Sequence, residues 1–132
     1  MADFMDNGKT DTLDRFSRTQ LLVGAEGLER LQKASVAVFG IGGVGGYAVE
    51  SLARAGVGKL TLVDFDAVCI TNINRQIHAL EETVGRPKVV VMAERCQAIN
   101  PQLEVVAVEQ RYAAENSAEL LAEEFDYVLD CI

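Results

Sequence analysis

Five of the seven residues from Gly40 to Gly46, in the stretch AVFGIGGVGG, are glycine. So little side chain implies that something comes close to the backbone there. Gly40, Gly42 and Gly45 stand at GxGxxG spacing, after an apolar run and before a helical pattern, the setting in which that spacing signals a dinucleotide-type loop. Gly40 permits a tight turn, Gly42 lets a ligand reach the backbone, and Gly45 lets the helix pack against the strand. Exposed amides and the helix dipole then favour an anion; a purely structural glycine turn is the plainer alternative. Asp64 closes the next apolar run about 20 residues on, where a carboxylate can accept hydrogen bonds from ribose hydroxyls, or simply end a strand. Two cations extend the pattern. Arg75 lies in the amide-rich DFDAVCITNINRQIHAL, 64–80, and Lys88 ends GRPK, 85–88, at a helix start. A cation there opposes the dipole unless an anion sits nearby, and both cations suit a triphosphate.

Regular elements must carry these groups. Ser35 to Phe39 is short and β-branched and reads as a buried strand. Val44, Ala48, Leu52 and Ala55 repeat at helical spacing, and Gly56 and Gly58 stop the helix. Residues 59–64, 103–108 and 127–132 read as three further strands. Pro87 is expected at the first position of a helix with Val89, Met92, Ala93 and Cys96 on one face, ending at Asn100 and Pro101. Asn116 and Glu119 have the spacing of a capping pair opening a helix to about Glu123. Before the first strand, two short helices, 14–22 and 25–33, are expected to break at Gly24. Strands alternating with helices predict a Rossmann-like α/β fold with a parallel sheet.

The chain has 132 residues, 49% of them hydrophobic and 24% charged, with a net charge of −8. That suits one globular domain, 13–132, behind a loose polar N-terminus, 1–12. No apolar run approaches the roughly 18 residues of a membrane span, and the first residues lack the order of a secretory signal, so a cytoplasmic protein without membrane attachment is expected. Cys69, Cys96 and Cys131 are scattered and form no CxxC pair, which argues against zinc and disulfides. The negative charge argues against broad electrostatic attraction to nucleic acid. Such sheets usually hold about six strands, and Ile132 falls at the end of the fourth, so the chain is expected to be an N-terminal fragment of a longer one.

The segments RFSRTQLL, GIGGVGG, LVDFDAVCITNINRQ, VGRPK, INP and YVLDCI occur together and in order. With them the chain resembles the ThiF/HesA group of ATP-dependent adenylating enzymes, relatives of the ubiquitin-activating enzymes, from Arg15 to Ile132. Within that group GIGGVGGYAVESLARAGVG, CITNINRQIHAL and VMAERCQAINP look most like the tRNA threonylcarbamoyladenosine dehydratases. These use ATP to cyclise threonylcarbamoyladenosine at position 37 of tRNA. The adenylyltransferases that activate ubiquitin-like sulfur-carrier proteins for molybdopterin or thiamin synthesis share most motifs and rank second. The resemblance implies ATP and magnesium, a homodimer, and tRNA or a sulfur carrier as partner. It places Gly40, Gly42 and Gly43 on the phosphates and Asp64 on the ribose. Asp66, Asn72, Arg75, Gln76 and Lys88 would surround the triphosphate, Arg75 and Lys88 as catalytic cations, and Arg18 would reach the nucleotide of the other subunit. The family's Asp-x-x-Asp on the fourth strand begins at Asp130, so the magnesium carboxylate is expected just beyond Ile132.

His78, the only histidine, has no partner at ligand spacing and reads as structural or solvated; Tyr47 reads as packing. A nicotinamide oxidoreductase would explain the glycines and Asp64 but not NINRQ with GRPK. A binding module without catalysis is the other rival.

Overall fold

The computed structural model describes residues 13–132; the expected loose N-terminus, 1–12, lies outside them. The order of elements is α1 (Ser17–Lys33), β1 (Ser35–Phe39), α2 (Gly45–Ala55), β2 (Lys59–Val63), α3 (Lys88–Ile99), β3 (Glu104–Val108), α4 (Ser117–Leu120) and β4 (Tyr127–Asp130). All strand pairs are parallel, in the order β3-β2-β1-β4. The chain therefore walks outward from β1 to β3, then returns to the other side of β1. This is a Rossmann-like half-sheet, and its order reverses at β1, where such sheets open a crevice at the carboxyl ends of their strands.

Every residue of the central strands after the first is buried because both faces are covered, and only Thr61 among them is polar. On one face Val36, Val38, Leu60 and Leu62 meet Val49 and Ala53 of α2 and Val89, Met92 and Cys96 of α3. The last three recur at helical spacing and form the stripe expected for α3. On the other face Ala37, Phe39 and Val63 meet Val108, Leu120 and Phe125. Register puts Val128, Ala37, Thr61 and Val106 in one row across that face. The two inner residues are buried, while Val128 and Val106 on the edge strands are exposed.

Glycines set two of the boundaries. Gly24 leaves helical geometry within α1 (φ 75°, ψ 173°), the predicted break, and Gly56 ends α2 in the left-handed region (φ 104°), as a C-terminal glycine does. Pro87 is the cap rather than the first residue of α3 (ψ 131°). Its missing N–H is harmless at either position. Among the described residues, no helix is long and apolar enough to cross a membrane.

Candidate functional site

The glycine loop leaves β1 at the reversal point. Gly40 turns at φ 92°, and a Cβ on it would stand 2.6 Å from the carbonyl oxygen of Cys131, just past β4. A Cβ on Gly45 would stand 1.7 Å from the carbonyl oxygen of Gly40, so the first turn of α2 rests directly on the loop. Gly42 differs: its nearest neighbour there would be Gln76 Nε2 at 3.6 Å, ordinary contact distance. Gly40 and Gly45 thus meet the turn and packing demands their spacing predicts, and Gly42 leaves open space beside the backbone.

A cavity of about 330 Å³ opens beside this loop, lined by Gly40, Gly42, Asp64, Asp66 and Lys88 among others. Asp64 is held before anything binds: Ile41 N–H donates to its Oδ2 and Asp66 N–H to its Oδ1, both at 2.7 Å. Lys88 is positioned by the segment after β2 pairing with the one before α3. Val68 N–H donates to the Arg86 carbonyl, Gly85 N–H to the Val68 carbonyl, and Lys88 N–H to the Asp66 carbonyl at 3.0 Å. The Lys88 side chain is buried, 6% exposed, and its Nζ lies 3.9 Å from Asp66 Oδ2. Asp66 therefore supplies part of the anion that a cation at a helix N-terminus needs.

The 70s segment lies along the loop's far flank. Arg75 adjoins Gly43, whose added Cβ would stand 3.9 Å from Arg75 Cγ. Its exposed guanidinium bonds the Thr71 carbonyl and the Asn74 side chain and does not line the cavity. Asn72 is buried and accepts Cys69 N–H at 2.8 Å, which closes the tight turn before Arg75. Gln76 is buried behind Gly42, and its Oε1 meets no partner among the described residues. Such orphans are uncommon in folded proteins. Arg18 is exposed on α1 and is not among the cavity's lining residues.

Four further lining residues are not singled out in the sequence: Phe65, inside the motif LVDFDAVCITNINRQ, and Gln110, Arg111 and Tyr112, outside every motif. The Arg111 guanidinium carbon sits 5.4 Å from the centre of the Phe65 ring, a cation–π distance, and Tyr112 meets Phe39 edge-on at 5.0 Å. They lie just past the ends of β2 and β3, the sheet edge where parallel strands present ligand contacts. That position relative to the strand ends is the signal by which a sequence could have revealed them. The expected Asn116–Glu119 capping pair does not form, and α4 is a single turn without a side-chain cap. Asn116 faces backwards instead: its Oδ1 accepts Ala113 N–H and its Nδ2 donates to the Arg111 carbonyl. The asparagine thereby fixes the loop that carries Arg111 and Tyr112.

His78 is buried, and its Nε2 lies 2.8 Å from the Ile41 carbonyl. Burial pushes its pKa below the usual value, the Ile41 bond pulls the other way, and nearby Lys88 pushes it further down. The exposed Cys69 thiol is held below its ordinary range, first by the Thr71 hydroxyl and then by backbone amides and Lys88. Cys131, at the cavity wall, is raised by burial and by Asp130. Among the described residues, no cluster of three His, Cys, Asp or Glu side chains is placed to hold a metal ion.

Sheet order, glycine loop and cavity together define a Rossmann-like α/β domain with a cavity at its switch point. The chain belongs to the ThiF family, whose profile matches residues 16–132. It is 52% identical over 118 residues to the tRNA threonylcarbamoyladenosine dehydratase of Bacillus subtilis (strain 168), covering 89% of this chain and 46% of that protein. It is 43% identical over 122 residues to a sulfur carrier protein adenylyltransferase of Thermus thermophilus, covering 91% and 45%. The crystal structure of the E. coli tRNA N6-threonylcarbamoyladenosine dehydratase in complex with ATP superposes with a TM-score of 0.88 at 47% identity, over 89% of this chain and 49% of that one. The chain thus spans about half the length of the curated relatives it matches.

Proposed function

We propose that this chain carries the ATP-binding half-site of an enzyme that adenylates a carboxylate, and that the enzyme cyclises threonylcarbamoyladenosine at position 37 of tRNA. One observation carries the reading: Gly40, Gly42, Asp64, Asp66 and Lys88 meet in one cavity beside a helix N-terminus. The likeness to dehydratases at 52% and 47% identity supports the tRNA substrate; activation of a sulfur-carrier C-terminus is the second reading, supported by the 43% likeness to an adenylyltransferase.

Gly42 and Gly43 admit the phosphates, Asp64 accepts from the ribose, and Lys88 with Arg75 faces the triphosphate, Arg75 swinging from its present carbonyl partner. Asp66, Asn72 and Gln76 complete the surround, and the unpaired Gln76 Oε1 suits a group that gains a partner on binding. Phe65 and Arg111 offer flat surfaces at the cavity mouth. The substrate carboxylate attacks the α-phosphorus, the bond to the bridging oxygen breaks, and pyrophosphate leaves. Internal attack by the urea group of the same threonylcarbamoyl unit on the activated acyl carbon then closes the ring, the attacking atom giving up its proton as AMP leaves. Two anions react, so the cations matter most where charge accumulates in the transition state. Among the described residues no three His, Cys, Asp or Glu side chains cluster to hold a metal ion, so magnesium would come in on the nucleotide phosphates, where it would offset the charge of the departing pyrophosphate. Two copies, with Arg18 of each reaching the other's nucleotide, a cytoplasmic setting and magnesium bound through the nucleotide belong to the same proposal.

The test uses the full-length protein with ATP and two substrates: tRNA bearing threonylcarbamoyladenosine, and a sulfur-carrier protein ending in Gly-Gly. Dehydration of the tRNA without adenylation of the carrier is expected, and the reverse result selects the second reading. Lys88→Ala and Arg75→Ala are each expected to slow ATP–pyrophosphate exchange roughly ten- to a thousand-fold. Near-normal exchange in both sinks the assignment of these two cations.

A further inference from the structure

We propose that His78 is a positioning residue of the nucleotide site, its Nε2–H holding the Ile41 carbonyl so that the glycine loop presents Gly42 to the cavity; this rests on the ATP-binding reading above. Ile41 is fully buried, yet neither of its backbone polar groups is used by sheet or helix. Its N–H donates to Asp64 Oδ2 at 2.7 Å, and its carbonyl lies 2.8 Å from His78 Nε2. The loop is clamped between an acid from the end of β2 and an imidazole from the 70s segment.

A carbonyl only accepts, so Nε2 must carry the proton. The other ring nitrogen, Nδ1, is buried without a partner among the described residues. An apolar side chain of similar volume would fill the space without that orphan, so what the ring adds is one donor aimed at Ile41. The ring also underlies α2: a Cβ on Gly46 would stand 3.6 Å from His78 Cδ2, and Gly46 N–H returns to the Gly42 carbonyl at 3.0 Å. His78 is anchored in turn, because the Thr83 hydroxyl donates to its carbonyl at 2.7 Å. The charged groups around it are Lys88 and Asp64 on the loop side and Glu82, Arg86, Glu94 and Arg95 on the opposite side, around a cavity the ring also borders. Arg86 and Glu94 pair with each other, and Arg95 with Glu50. The neutral ring thus donates without adding a charge beside Lys88.

Two variants separate positioning from mere packing. In the full chain, His78→Leu removes the donor and His78→Gln keeps an N–H. His78→Leu is expected to raise the ATP KM in pyrophosphate exchange about tenfold, the effect of one orphaned buried acceptor. The kcat should change less than about threefold, and His78→Gln should restore most of the KM. Equal ATP KM in the unsubstituted protein and both variants, with only the melting temperature lowered, overturns the proposal. Should His78→Leu not fold, the single histidine gives an unambiguous 15N spectrum in the unsubstituted protein. Protonated Nε2 with bare Nδ1, shifting on ATP addition, supports positioning; protonated Nδ1, or no response to ATP, refutes it. An unsubstituted protein that binds no ATP in equilibrium dialysis defeats the parent reading, whereas ATP binding unchanged in His78→Leu defeats this inference alone.

Discussion

A methyl group has no room at Gly45 and ample room at Gly42, so two one-carbon substitutions should separate stability from binding. Gly45→Ala forces a Cβ to 1.7 Å from the Gly40 carbonyl oxygen, a backbone atom that cannot swing aside, and is expected to destabilise the fold by about 3 kcal/mol or more. Gly42→Ala meets only Gln76 Nε2 at 3.6 Å and should leave the thermal midpoint nearly unchanged while weakening ATP binding. Calorimetric melting and titration with ATP on both variants check the pair. His78 adds a pH dependence. Its folded-state pKa is depressed by burial and Lys88, so the unfolded chain takes up the proton first as pH falls. Stability from this group is complete above roughly pH 6.5, the unfolded value, and declines below it. A series of urea midpoints from about pH 8 to 5 should show the decline, and His78→Gln should remove that part of it.

At the scale of elements, α2 and α3 are joined by a buried acid. Glu50 of α2 is 7% exposed and takes Arg54 from its own helix and Arg95 from α3. Burial alone would raise its pKa, but the hydrogen bonds and charges of Arg95 and Arg54 outweigh that and hold it below the usual carboxylate range. The sign follows: its contribution is present above the unfolded carboxylate value and is lost as pH falls through the lower folded one. Glu50→Gln should flatten the acid side of the stability profile, measured by thermal melts between about pH 3 and 6. In the sheet, Leu62→Ala empties a fully buried site between both helices and is expected to cost about 2–5 kcal/mol in urea denaturation. The sequence reveals the Leu62 environment because a strand covered on both faces is largely apolar along its length. It cannot reveal the Glu50 cluster, since Glu50 and Arg54 at helical spacing also describe an exposed pair. Asn116 departs from its expected capping role for a related reason: an asparagine near a helix start can cap that helix or tie down the preceding loop, and only tertiary structure chooses. The glycine loop is legible because Gly40 and Gly45 answer steric demands that a side chain could not meet. Arg75 is legible as a cation, but its present carbonyl partner is not.

Across the whole molecule, the three thiols report on different depths. Cys69 is exposed and its thiol is kept acidic by Thr71; Cys131 is partly covered; Cys96 is buried, with its pKa pushed up to about 12. Iodoacetamide at about pH 8 should therefore modify Cys69 first, Cys131 more slowly, and Cys96 only at the rate of global opening; early labelling of Cys96, followed by peptide mass analysis, would contradict this packing. The sheet's inequality has a further consequence. β1 and β2 lie at its centre, sealed on both faces, while β3, β4 and most of α1 are far more open. The glycine loop and Asp64 are continuations of those two sealed strands, so the end proposed to face a nucleotide is expected to share the slowest opening of the molecule. The periphery can then fray and re-form many times before the loop and Asp64 are disturbed.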